Sequence, residues 1–266
     1  MNTLINFLRK LYKYRTVIAT MALQEIKDKY LGTLGGVLWS VINPLLIIFV
    51  YWLVFSLGLK VRPIGDAPFI VYFCAGLIPW MTFSDTLVAN TVVLSKKSYL
   101  IKKMVFPTEI LPIVNLISNL ISHGIMLIIY IAILLHSGIS LSLMNLQFMY
   151  YLFALCIFSL GLSWLLSAIN VFFPDTSVIL SVIVNIWFWL TPIVWLIEML
   201  PYKYKNFIKL NPMFYIVDGY RNSFIYHIPF WHNYKQGVYF WLISLLLFVG
   251  GALIFRRLRS EFGDIL

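Results

Sequence analysis

Apolar runs long enough to cross a bilayer recur six times along this chain, and no other feature limits its fold as much. The runs cover roughly residues 37–59, 68–94, 110–135, 149–173, 177–197 and 239–255. A helix needs about 17–25 mostly apolar residues to span the hydrocarbon core, and tilt absorbs any excess. Lipid offers no partner to backbone N–H and C=O groups, so only helices and closed barrels cross it. Barrel strands alternate apolar and polar residues, and runs such as "LISLLLFVGGALIF" do not. The pattern predicts an all-α integral membrane protein with six transmembrane helices, a single transmembrane domain over 1–266. Within it, 1–36 is expected to form a cytoplasmic amphipathic interface helix and hinge, 37–255 the six-span core, and 256–266 a cytoplasmic tail.

Composition agrees: 61% of residues are hydrophobic and 11% charged, against about 25% charged in globular domains. The net charge of +10 is informative by position, because basic loops set membrane orientation. The lead segment carries Arg9, Lys10, Lys13, Arg15, Lys27 and Lys29. The loop after the second run carries Lys96, Lys97, Lys102 and Lys103, and the tail carries Arg256, Arg257 and Arg259. Of the segments on the other side, the one after the first run holds Lys60 and Arg62. The one after the third holds no lysine or arginine, and the five basic residues after the fifth lie in a long segment. Long segments translocate with little regard to charge, so both termini are expected on the cytoplasmic side. The basic residues occupy separate short loops without an arginine-rich module, which argues against nucleic acid as a partner.

Three segments outside the apolar runs have expected roles. In residues 3–30, Ala19, Leu23, Ile26 and Tyr30 recur at helical spacing, with Glu25 and Lys29 set to pair at i,i+4 on another face. This predicts a helix lying in the membrane interface, apolar side toward lipid. Gly32, Gly35 and Gly36 then let the chain turn into the first span. Gly32 and Gly36 also have the spacing that seats a neighbouring helix, and Pro44 is expected to kink the span. The second segment, "LSKKSYLIKKMVFPTEILP" (94–112), reads as a basic loop with a short helix bounded by Pro107. The third, 196–238, with Pro201, Pro212, Pro229 and many aromatics, reads as short amphipathic helices at the outer surface.

No catalytic constellation emerges. His123, His136, His227 and His232 have no partner at metal-ligand spacing, and no G-x-S-x-G motif is present. The chain also lacks G-x-x-x-x-G-K-[ST], so it has no P-loop of its own for ATP phosphates. Cys74 and Cys156 sit in apolar runs and read as small packing residues. Asp85 is the one acid well inside a run, the sole sequence support for an ion-coupled carrier. The clusters "IWFWLTPIVW" (186–195) and "LPYKYKNF" (200–207) exceed an ordinary interfacial belt. Trp187, Trp189, Trp195, Tyr202 and Tyr204 are therefore candidate channel or gate aromatics, suited to stacking on sugar rings.

Six stretches, in order, resemble the transmembrane subunit of ABC exporters of lipid-linked polysaccharide, the O-antigen and teichoic-acid permeases. They are "QEIKDKYLGTLGGVLWSVINPLL", "GLIPWMTFSDTL", "LIKKMVFPTEILP", "NVFFPDTSVIL", "IWFWLTPIVW" and "LNPMFYIVDGYRN". The resemblance implies a homodimer of this chain with two copies of a separate ABC ATPase subunit, which binds Mg-ATP while this chain holds no cofactor. It implies an undecaprenyl-diphosphate-linked polysaccharide as substrate and the bacterial inner membrane as location. It also implies that the interface helix and the segment 96–109 contact the ATPase. Lys96, Lys97, Lys102, Lys103, Pro107 and Glu109 are the coupling residues by this resemblance, joined by Asp175 between the fourth and fifth spans. Where the family pattern has a basic residue before the acid, this chain has Thr108 and Pro174, so no salt bridge to the ATPase is implied there. In this reading the interface helix, with Glu25, Lys29 and the Gly32–Gly36 hinge, is a lever on the first span. An integral-membrane glycosyl- or acyltransferase and an ion-coupled carrier are the alternatives.

Overall fold

The computed structural model describes residues 9–29, 31–60, 67–103 and 107–266. Tyr30, Arg62, the Lys103 side chain and the part of the expected interface helix before residue 9 lie outside the described residues. Every regular element among the described residues is helical. In chain order the principal helices are α1 (Arg15–Lys29), α2 (Trp39–Trp52), α3 (Phe69–Thr91), α4 (Ser98–Lys103) and α5 (Leu111–His136). They continue with α6 (Phe148–Phe172), α7 (Thr176–Leu190), α8 (Tyr202–Lys209), α9 (Pro212–Arg221) and α10 (Tyr234–Leu258).

Five helical stretches are long and apolar enough to cross a membrane: Trp39–Gly58, Phe69–Thr91, Thr108–His136, Leu143–Phe172 and Tyr234–Ile265. The sixth expected span, 177–197, is realised as the 15-residue α7, about 22 Å at 1.5 Å per residue. It stops there because Pro192 lacks an N–H and disfavours helical backbone in the residue before it. Thr191 is accordingly extended, at φ −92° and ψ 128°.

The bundle is centred on α3, whose hydrophobic window is 78% buried. It packs against α5, α6, α7 and α9, while α6 and α10 form the most extensive helix pair. Glycine makes that pair possible. A Cβ on Gly251 would lie 2.2 Å from the Gly161 carbonyl oxygen, and one on Gly161 would lie 2.6 Å from the Phe248 backbone nitrogen. In lipid, where apolar burial against solvent does not drive association, such close backbone approach is a main source of helix affinity. By contrast, α2 leaves much of its surface uncovered by the rest of the chain, with Leu45, Leu46, Phe49 and Val50 exposed.

The glycines between α1 and α2 set the local backbone rather than a helix contact. Gly32 and Gly36 have φ of +79° and +47°, left-handed backbone that L side chains rarely adopt. A Cβ at either would meet nothing within 4 Å, so within this chain they turn the backbone and seat no helix. Pro44 lies buried inside α2, which runs on through it into a wider turn at Leu53–Gly58.

In α1 the side packed on protein carries Ile18 and Ala22, which meet Ile110 and Val114, with Met21 beside them; Ala19 and Leu23, from the stripe expected to face lipid, are exposed. The two stripes are one residue apart in register, and both are apolar enough to satisfy the pattern. Residues 196–238 are not confined to the surface. α9 buries Met213, Phe214, Ile216, Val217, Tyr220 and Arg221 against α3 and α6. Its entry into the bundle is set by Asn211, whose side-chain oxygen accepts from the Met213 N–H at 3.0 Å, ahead of a proline at the first helical position.

Candidate functional site

The residues singled out from sequence fall at three levels of the bundle. At the end bearing Lys10, Lys97 and Arg259, here called the basic end, the expected coupling residues divide between those committed to this chain and those exposed. The Glu109 carboxylate takes Lys10 Nζ on one oxygen at 2.9 Å and has Arg259 Nη1 2.9 Å from the other. The second contact is not aligned as a hydrogen bond, so it is an ion pair by proximity. Lys97 pairs with Glu25 of α1, which corrects the expected Glu25–Lys29 pair. Pro107 is buried, whereas Lys96, Lys102 and Asp175 are exposed. α4 therefore presents Lys102 outward with Tyr99 beside it, 57% exposed.

Lys29, freed from Glu25, reaches Asp85 at 3.5 Å. Asp85 opens onto a small cavity of mixed lining, with Ser40, Asn43, Asn119 and His123 beside Met81 and Met126, at the junction of α2, α3 and α5. An acid inside a span thus finds a cation from the interface helix rather than another acid or a metal set. Among the described residues no group of three or more His, Cys, Asp or Glu is placed to hold a metal.

His123, deeper in, is fully used. Nδ1 lies 2.8 Å from Thr82 Oγ1, and Thr82 donates its own proton to the Ile78 carbonyl at 3.1 Å. Thr82 therefore accepts from an Nδ1–H. The bare Nε2 accepts from the Tyr220 hydroxyl at 3.1 Å. Both nitrogens of a neutral imidazole are satisfied, which leaves none for acid–base chemistry or metal binding. His123 instead ties α9, through Tyr220, to α3 and α5.

At the opposite end the candidate aromatics divide. Trp187 is an internal packing residue: its ring stands edge-on to Phe83 at 5.1 Å, and its indole N–H donates to Asn211 Oδ1 at 2.7 Å. The same Asn211 donates to Thr191 Oγ1 at 2.8 Å, joining the end of α7 to the start of α9. Trp195 donates to the Trp189 carbonyl at 2.9 Å. Of the five candidates Trp189, Tyr202 and Tyr204 are exposed, at 58%, 80% and 55%, and Trp195 is partly exposed.

Arg221 was not anticipated. It is 2% exposed, with its guanidinium 3.5 Å above the Tyr72 ring and Nη2 donating to the Ile193 carbonyl at 3.1 Å. Gly76 leaves the room it needs, since a Cβ there would be 3.1 Å from Nη2. Three residues back, burial pushes the Asp218 carboxyl above the ordinary carboxylate range, while the Arg221 charge and a 3.1 Å hydrogen bond from Asn222 hold it down. The available signal was an arginine and an aspartate inside "FYIVDGYRN" (214–222), where ionisable residues are costly unless they have a task.

The three levels are thus a basic end of intrachain ion pairs, a pinned centre, and a far end of paired polar anchors and exposed rings. Comparison with known proteins identifies the family. The O-antigen export system permease protein RfbA of Myxococcus xanthus is 27% identical over 264 residues, which is 98% of this chain and 99% of that protein. The O-antigen export system permease protein RfbA of Klebsiella pneumoniae is 28% identical over 244 residues, 91% of this chain and 92% of that protein. A family profile described as ABC-2 type transporter matches residues 16–225, so the chain belongs to the ABC-2 type transporter family.

Proposed function

We propose that this chain is the transmembrane subunit of an ATP-driven exporter that moves undecaprenyl-diphosphate-linked polysaccharide of O-antigen type out of the bacterial cytoplasm. The observation that carries this reading is likeness along almost the whole length to relatives named as O-antigen export permeases. The absence of a P-loop from the sequence supports a subunit without its own ATPase site, served by a separate subunit that binds Mg-ATP. The working unit is a homodimer with two ATPase copies in the inner membrane. α7 and the turn after it count as a short fifth of six spans. Both termini, and with them the basic end, face the cytoplasm.

On this reading residues 1–36 are the interface helix and hinge, 37–255 the spanning core and 256–266 the tail of one transmembrane domain. α4 and its exposed neighbours Lys96, Tyr99 and Lys102 meet the ATPase, with Asp175 as a second contact. Force entering there reaches α2 through α1 and the left-handed glycines. Trp189, Trp195, Tyr202 and Tyr204 form the aromatic gate on the far side, and Trp187 braces it from within. ATP acts by binding the two conformations of the assembly unequally, which is the only way a ligand shifts such an equilibrium.

Affinity purification from native membranes after gentle solubilisation tests the assembly. The expected result is an ABC-type ATPase recovered at one copy per copy of this chain. An intact, folded chain that repeatedly comes through alone overturns the reading and returns weight to the transferase and carrier alternatives.

A further inference from the structure

Three segments far apart in sequence converge on one carboxylate at the basic end. Glu109 leads into α5 and is only 16% exposed, with Lys10 at 2.9 Å on one oxygen and Arg259 at 2.9 Å on the other. Its backbone carbonyl accepts from the indole N–H of the buried Trp164 on α6, at 3.1 Å. The residues around it form a packed apolar patch. Phe262, which follows the Arg259–Glu261 turn, is fully buried and meets Phe255 edge-on at 5.4 Å. It shares a cluster with Val93, Leu94 and Leu111, and the short helix Phe262–Ile265 packs on α4. The Lys97–Glu25 pair fastens α1 to the same body.

A carboxylate aimed at a partner subunit would present at least one oxygen to the outside. Here both oxygens face cations of the same chain, and the side chain is largely covered. We propose that Glu109 is a positioning residue inside the chain rather than a contact to the ATPase. It clasps the lead segment through Lys10 and the tail segment through Arg259, so that 9–29, 93–103, 107–110 and 259–265 move as one body. The tail segment then belongs to the coupling element, and displacement of α4 is passed to α1 without being lost in local bending. This rests on the exporter reading above.

The test uses the complete complex with its ATPase. Glu109→Lys turns both attractions into repulsions, and the triple variant Lys10→Glu, Glu109→Lys, Arg259→Glu restores them with signs reversed. Expected for the single variant are normal ATPase recovery and a modest loss of thermal stability, with glycan exported per ATP by the folded complex falling about tenfold. The triple variant should return to within about twofold of the parent. A merely structural role would move assembly together with export. Glu109→Lys exporting normally, or the triple variant assembling yet failing to recover, overturns the proposal.

A second measurement does not depend on charge. With Cys74 and Cys156 replaced by alanine, the pair Glu109→Cys and Arg259→Cys removes the clasp, and a short bis-maleimide link replaces it covalently. One-body motion predicts that linking restores glycan per ATP, and linking that leaves export low or abolishes it overturns the clasp. If no ATPase accompanies the chain, the exporter reading falls instead, and cross-linking yield alone decides the clasp: efficient linking supports it and failure to link overturns it.

Discussion

Replacing Gly251 with alanine is expected to cost about 3 kcal/mol, the upper end of ordinary overpacking, and to remove most folded protein from the membrane. The new methyl would lie 2.2 Å from the Gly161 carbonyl oxygen and 3.1 Å from its carbonyl carbon. Neither is the far end of a flexible side chain that can step aside. Both belong to the backbone of α6, so α6 and α10 must separate along the most extensive helix contact of the bundle. Gly161→Ala should behave alike, since its methyl would meet the backbone of Leu247 and Phe248 at 2.6–2.7 Å. Gly250→Ala is the control. It adds the same methyl one residue away, where nothing lies within 4 Å, and should stay within about 0.5 kcal/mol of the parent. Thermal unfolding in detergent, with membrane abundance alongside, reads all three.

The second large effect is expected at Arg221. Arg221→Met should lower stability by about 2–4 kcal/mol, from loss of a desolvated cation–π contact and an orphaned carbonyl. Arg221→Lys should recover little of it. A planar guanidinium can lie on the Tyr72 ring and still donate sideways to Ile193, whereas an ammonium is a point charge that cannot do both. Ile193 follows the break after α7, and Tyr72 lies near the start of α3, so one side chain joins three elements at the far end of the bundle. Export should therefore fall in both variants even when folded protein is brought back to parental amounts. Cell-surface glycan per folded permease is the quantity to measure. Arg221→Lys with parental stability and export would contradict this account of the residue.

What was legible in the sequence follows from where the free energy lies. Spanning runs are announced residue by residue, because each must satisfy lipid on its own, and five expected spans appear with boundaries shifted by up to ten residues. The turn at Gly32 and Gly36 was legible because left-handed backbone favours glycine. α9 was not, because helix periodicity does not tell a surface helix from one inserted among others, and Asn211, which admits it, looks like any turn residue. The ion pairs were misassigned for a related reason. Glu25 has Lys29 four residues away, yet only the fold reveals that Lys97 lies closer and that Lys29 has Asp85 to meet. Glu109 likewise matched a family position by its neighbours in sequence, while its contacts are set by residues of the lead and tail segments. Trp187 and Trp189 sit two apart in one apolar run and face opposite ways, one into the bundle and one out of it.

Transport in inside-out membrane vesicles tests the central claim most directly. Vesicles containing this chain and its ATPase, supplied with lipid-linked glycan on the outer (cytoplasmic) face, should move it to the lumen only with hydrolysable ATP and magnesium. Transport should persist when ionophores collapse the ion gradients. Accumulation that continues without ATP and stops with the gradients would contradict the account and make Asp85, with its cavity and its lysine, the centre of an ion-coupled carrier.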